Sequence, residues 1–101
     1  MKEQIFELLE KRGFTRFETK LNENCFEKMF VVQSNQQLIV NGQPQPVPPK
    51  NVRVVISYFG EGEVDGRIVY GISIGPDVYG DLFYIETTDE LTQMLNSLLP
   101  Q

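Results

Sequence analysis

Two runs of β-branched and aromatic residues that meet at Asp65-Gly66 constrain this chain more than any other stretch. Asp-Gly is a preferred central pair of the type I′ turn, whose twist suits a two-residue hairpin loop. Val52–Gly62 therefore leads into the turn, and Arg67–Ile74 returns from it. On the returning strand Ile68, Tyr70, Ile72 and Ile74 mark one face, with Val69, Gly71 and Ser73 opposite. Counting outward from the turn sets Ile72 against Phe59 and Ile74 against Ser57, which leaves Val52, Val54 and Ile56 on the wrong side. One extra residue flips every later side chain, so a β-bulge is expected, with Gly60-Glu61-Gly62 its natural place.

The flanking segments also read as strands. Phe14–Leu21 and Cys25–Gln33 surround Asn22-Glu23-Asn24, a polar tripeptide that suits a hairpin turn. Phe26, Lys28, Phe30 and Val32 share one face of the second strand, and Cys25, Glu27, Met29 and Val31 the other. Gln37–Val40 runs into Asn41-Gly42, a second type I′ signal. Gln43–Pro49 then carries four prolines in seven residues. Such a segment must be an edge or an extended surface connection. After two turn clusters, Gly75-Pro76-Asp77 and Tyr79-Gly80-Asp81, Leu82–Glu86 supplies a last strand.

Helices bracket these strands. Ile5, Leu8 and Leu9 recur at helical spacing within 2–12, and Gly13 sits at the position that ends helices. Leu91, Met94, Leu95, Leu98 and Leu99 form a full apolar stripe. Thr87 as N-cap places Glu90 three residues on, a capping box, and Pro100 ends the helix. The expected class is α+β: a single domain over 1–101, with a mostly antiparallel sheet of about five strands and both terminal helices on one face. A helix of about 11 residues is only about 16 Å long, so two cover one sheet face and not both. The uncovered face would present Arg53, Val55, Ser57, Val69, Gly71 and Ser73. Of these, Arg53, Val55, Ser57, Val69 and Ser73 are the candidate partner-binding residues.

Composition limits the chemistry. The 101 residues include no His and one Cys, which excludes His-assisted nucleophilic catalysis, His-ligated zinc and an intramolecular disulfide. A compact fold of 11.6 kDa should expose about 5,800 Å². The net charge of −5 is uneven: residues 1–53 hold eight basic and six acidic side chains, whereas 54–101 hold Arg67 against eight acids. Such a field repels nucleic-acid backbones and favours basic partners, so nucleic-acid binding is not expected. No run reaches the ~20 apolar residues of a membrane span, and the N-terminal segment lacks a signal-peptide pattern. A cytoplasmic location with a reduced thiol is the expectation.

The remaining candidates each have a simpler structural account. Glu61, Glu63, Asp65 and Gly66 match part of a calcium loop, but Ile72 stands where its bidentate acid belongs. Asp77 and Asp81 are good turn formers. Cys25 lies between Glu23 and Glu27, surroundings that do not favour a thiolate. Lys11, Arg12, Arg16 and Lys20 interleave with Phe14 and Phe17, as a strand with one wet and one dry face would. Tyr58, Tyr70, Tyr79 and Tyr84 suit core edges or an interface. No metal or cofactor is expected.

The sequence thus points to a small acidic protein without catalysis of its own that binds another protein, of inhibitor, immunity or adaptor type, or from a mobile element. Capture would use the open face or strand addition at the Gln37–Val47 edge. The alternatives are a small-ligand binder or enzyme using carboxylates and tyrosines, and a simple homodimer.

Overall fold

The computed structural model describes residues 1–34 and 36–99. A helix, α1 (Lys2–Lys11), precedes seven strands: β1 (Thr15–Phe17), β2 (Cys25–Val32), β3 (Gln37–Val40), β4 (Gln43–Pro46), β5 (Lys50–Val64), β6 (Arg67–Gly75) and β7 (Asp81–Ile85). The second helix, α2 (Thr88–Leu98), follows. Five strands form one antiparallel sheet in the order β1-β2-β5-β6-β7, while β3 and β4 pair only with each other. This is the expected α+β arrangement with both helices on one sheet face.

The core lies between helices and sheet. Ile5, Phe6 and Leu9 of α1 and Leu91 and Leu95 of α2 close over Phe26, Val54, Ile56, Tyr58, Ile72 and Ile85. Phe6 packs edge-on against Tyr58, with ring centroids 5.4 Å apart. Burial holds the Tyr58 phenol above its usual pKa, with Tyr70, Glu61 and Glu3 adding to the effect. The C-terminal end of α1 and the N-terminal end of α2 are capped by side chains. The Lys28 ammonium donates to the carbonyl of Arg12, a cation on the C-terminal end of α1. The Thr87 hydroxyl accepts from the Glu90 N–H, as the capping box requires. Glu90 reciprocates one residue early: its carboxylate accepts from the N–H of Glu86 rather than of Thr87. The expected stop at Pro100 lies outside the described residues.

The bulge exists and brings the apolar sets together. Register shifts between Tyr58 and Gly60, so Tyr58 faces Ile72 and Ile56 faces Ile74. The extra residue is Phe59, just before the expected Gly-Glu-Gly triplet. Gly60 has φ +115°, a region L side chains rarely enter, and this lets the strand resume its ladder there.

Two expectations need correction. The β1–β2 connection is wider than a tripeptide: β1 ends at Phe17, which faces Cys25, and residues 18–24 form the loop. Asn22 organises that loop, its side chain donating to Tyr58 O and accepting from the Asn24 N–H. A tight turn would have left the Tyr58 carbonyl beside the bulge without this partner. The overall shape is also far from compact. The chain exposes 7059 Å², measures 62 × 28 × 22 Å and has a radius of gyration of 17.1 Å, against about 13 Å for a globule of this length. One cause is the proline-rich segment, which is a paired strand: β4 closes on β3 through a turn with φ 52° at Asn41 and 76° at Gly42. The β2–β5 ladder ends at Val32 and Lys50, and the β3–β4 ribbon extends from that end as an arm exposed along its whole length. Among the described residues no helix is long and apolar enough to cross a membrane.

Candidate functional site

The sheet face away from the helices carries the residues singled out from the sequence. Alternation along β5 and β6 sends Val54, Ile56 and Ile72 to the helices and Arg53, Val55, Ser57, Gly71 and Ser73 the other way. These residues do turn away from the helices, but their expected exposure is not what the structure shows. Val55 is 0% exposed, Ser57 and Ser73 1%, and Val69 6%, so of the five candidates only Arg53 reaches the surface.

Small residues at the sheet centre, overlaid by larger neighbours, account for this burial. One row crosses all five strands in register: Phe17, Cys25, Ser57, Ser73 and Leu82. The Arg53 guanidinium lies over the Phe17 ring at 5.5 Å, and its Nε donates to the Glu27 carboxylate at 2.9 Å. Near the Val55–Gly75 pair, the chain between β6 and β7 folds back on the sheet. A Cβ on Gly75 would come within 2.6 Å of Gly80 Cα, and one on Gly80 within 2.4 Å of the Ile74 carbonyl. Backbone rests on backbone there, which only two glycines permit.

The loop rises beside a groove of about 590 Å³. Val69, Gly71 and Ser73 form its floor, and Phe59, Val78, Tyr79, Leu82 and Tyr84 its walls. Phe59 and Tyr84 stand on either side of Gly71, each within ordinary contact distance of the position its Cβ would take. Four of the wall residues are widely exposed: Phe59 at 58%, Tyr79 at 79%, Leu82 at 53% and Tyr84 at 62%. Contiguous exposed apolar surface of this kind marks interaction sites. Glu61 belongs to the rim, and Asp77 and Asp81 sit at the two ends of the loop.

At the bottom of the groove is an unsatisfied group. The Ser73 hydroxyl is fully buried and has no hydrogen-bond partner among the described residues. Its neighbour in the same row, Ser57, donates to the Cys25 sulfur at 3.6 Å, and that sulfur in turn approaches the Asn22 carbonyl at 3.7 Å. Two serines face each other across adjacent strands, one bonded and one not. A buried hydroxyl without a partner costs ~1–3 kcal/mol, which is recovered only by a ligand that displaces the side chains covering it.

The other candidates disperse. Asp65-Gly66 is the expected type I′ turn, with φ 50° and 77°. Among the described residues no cluster of three or more Cys, Asp and Glu side chains is arranged to hold a metal. Asp77 accepts from the Tyr79 N–H at 2.8 Å, a turn-forming contact. Arg16 stacks on Phe6 at 4.8 Å and donates to Asn24 Oδ1, so this member of the basic group serves the β1–β2 connection. Of the four tyrosines, Tyr58 is core and Tyr70 packs against it, while Tyr79 and Tyr84 line the groove. Phe59 and Leu82 were not anticipated. For Leu82 a signal was present in Leu82–Ile85, where apolar residues occupy both faces of a strand and leave no polar side for solvent; Phe59 depends on where the bulge falls.

Comparison of the chain with protein-family models, with curated protein sequences and with solved structures finds no match.

Proposed function

We propose that this chain is a protein-interaction module, without catalysis of its own, that receives an apolar segment of its partner in the groove between β5, the β6–β7 loop and β7. The observation that carries this reading is the groove itself: four large, exposed side chains around a floor with a buried, unpaired hydroxyl. A monomer that left such a patch permanently wet would gain nothing from it and risk aggregation. The excess of acid over base in residues 54–101 favours a partner whose apolar contact is flanked by Lys or Arg, chiefly through its association rate. Proteins of inhibitor, immunity or adaptor type, or from a mobile element, fit this reading. A cytoplasmic setting belongs to the same reading and is supported by a single thiol held in the core.

Panning a random peptide library on the purified chain tests this. Selected peptides should carry an aromatic or aliphatic residue beside a basic one and should shift the amide resonances of Gly71, Ser73 and Tyr84. Tyr84→Ser should weaken them at least tenfold with little change in the melt. If selected peptides leave those resonances in place, or Tyr84→Ser binds them unchanged, the groove is not the docking site.

One observation favours a second reading. The groove volume is within the ~300–1,000 Å³ range of small-molecule sites, and the unpaired Ser73 hydroxyl lies just beneath its floor, within reach of a ligand that displaces its cover. Fragment screening by the same amide shifts separates the two: a small neutral aromatic that saturates the Ser73 resonance when peptides do not would favour a ligand binder.

A further inference from the structure

The β3–β4 arm is protected along one edge and open along the other. In a two-residue hairpin the residues flanking the turn exchange hydrogen bonds, and pairs then alternate between bonded and non-bonded. Val40 and Gln43 flank the Asn41-Gly42 turn, so Val40–Gln43 and Leu38–Gln45 bond across the ribbon. Ile39–Pro44 and Gln37–Pro46 are the non-bonded pairs, whose backbone groups point outward. Prolines therefore occupy the two positions of β4 whose N–H would face outward. The inner ladder is complete, and the outer edge of β4 can donate to nothing. This is how natural sheets disarm an edge. On β3 the same outward positions are Ile39 and Gln37, which keep both N–H and C=O. Leu38, Ile39 and Val40 beside that edge are 53%, 67% and 43% exposed.

Charge then selects the occupant. Residues 29–49 contain no Asp, Glu, Lys or Arg, in a chain with 23 charged side chains and a net charge of −5. Two copies of an acidic protein repel wherever their charged surfaces approach, and the arm is the one long stretch of sequence where that repulsion has no local source. A basic foreign strand would find no carboxylate on the arm to recognise.

We propose that β3 is a strand-pairing edge that takes the β3 of a second copy of this chain, antiparallel about a two-fold axis. Only outward-facing residues can bond across the axis, and of the registers this parity allows, the one centred on Leu38 is the one in which both Gln37 and Ile39 bond. Gln37 faces Ile39 of the second copy, Ile39 faces Gln37, and Leu38 lies on the axis against its own equivalent. Four N–H···O=C bonds form, and the two arms become a four-stranded ribbon with proline on both outer edges. The contact is small, so the association is concentration-dependent rather than obligate. It involves no groove residue and stands apart from the reading given above.

Sedimentation of the native chain should show the mass rising from 11.6 kDa toward twice that value as concentration increases. Ile39→Pro removes an outward N–H without touching the inner ladder and should abolish the rise, as should Ile39→Lys, which leaves the backbone intact. Tyr84→Ser should dimerise like the native chain. Under oxidation Leu38→Cys should form a disulfide-linked dimer, since residues opposed in a non-bonded pair have Cα atoms ~4.5 Å apart. Val40→Cys, offset from its equivalent along the strands, should not, and the native chain with only buried Cys25 gives the baseline. A monomer at every concentration up to about 1 mM overturns the proposal. So does dimerisation of both Ile39 variants at the native concentration, or cross-linking through Val40→Cys in preference to Leu38→Cys.

Discussion

The two faces of the five-stranded sheet are made by the same strands and closed in different ways. Toward the helices, large side chains such as Phe26, Ile56, Tyr58 and Ile72 meet two amphipathic helices. On the far side no helix packs, and yet Val55, Ser57 and Ser73 are as buried as the core. There the sheet keeps its own residues small and lets larger neighbours, with the backbone of the β6–β7 loop, cover them. The first strategy excludes water by bulk and leaves nothing to bind. The second leaves a groove wherever the cover is incomplete, and the apolar groove lies at that margin.

Val55→Glu puts the largest strain on this comparison. If the far face is a true interior, the carboxylate has no partner there and the cost should be about 3–5 kcal/mol, seen as a large fall in the urea midpoint. The loss should shrink as pH falls from neutral toward the ordinary Glu value of about 4.3, because burial raises the native-state pKa and a protonated Glu is cheaper to bury. A variant that melts like the native chain would show that the far face is open after all. Next in size is Ile56→Ala, one residue along and facing the helices, which should cost about 2–5 kcal/mol through lost burial and the cavity left behind. The pair separates the faces: the Ile56→Ala loss should not depend on pH in this range.

Gly80→Ala tests how the far face is covered. The new methyl would meet the backbone of Ile74 and Gly75 at 2.4–2.5 Å, and backbone cannot rotate away. A loss of about 1–3 kcal/mol is expected, with displacement of Val78 and Tyr79 from the groove. Selected peptides should therefore weaken more than stability alone explains. If stability falls and peptide binding does not, the loop covers the face without shaping the groove.

Most of the architecture follows from local rules that a sequence exposes directly. Two Asx-Gly turns, a capped apolar stripe and period-two alternation locate the hairpins and helices, and a parity conflict between Ile72 and the Val52–Ile56 run calls for the bulge. What local rules do not contain is which side chains overlie which. Val55 alternates away from the helices as expected. Its strand partner Gly75 lies against Gly80, 25 residues after Val55, a contact that local rules do not contain. The groove depends likewise on where the bulge falls. One residue further along, Phe59 would not stand beside Gly71 opposite Tyr84. The arm shows the reverse case: its prolines left an edge and an extended connection both open, and their alternate spacing fits an outer edge once β3 is its partner.

The smallest effect is the most specific. Ser57 and Ser73 face each other at the centre of the far side, equally buried, and differ only in that Ser57 donates to Cys25. Ser57→Ala should cost up to ~1 kcal/mol, the net worth of a modest hydrogen bond to sulfur. Ser73→Ala removes an unpaired hydroxyl and should leave stability unchanged or slightly higher, because no bond is lost and a desolvated polar group is removed. Binding should reverse the order: a ligand that reaches the groove floor should lose affinity about tenfold or more with Ser73→Ala and little with Ser57→Ala. Equal stability losses for the two variants would mean that Ser73 has a hydrogen-bond partner within the chain. The unpaired hydroxyl would then no longer distinguish the groove from any other gap in the cover.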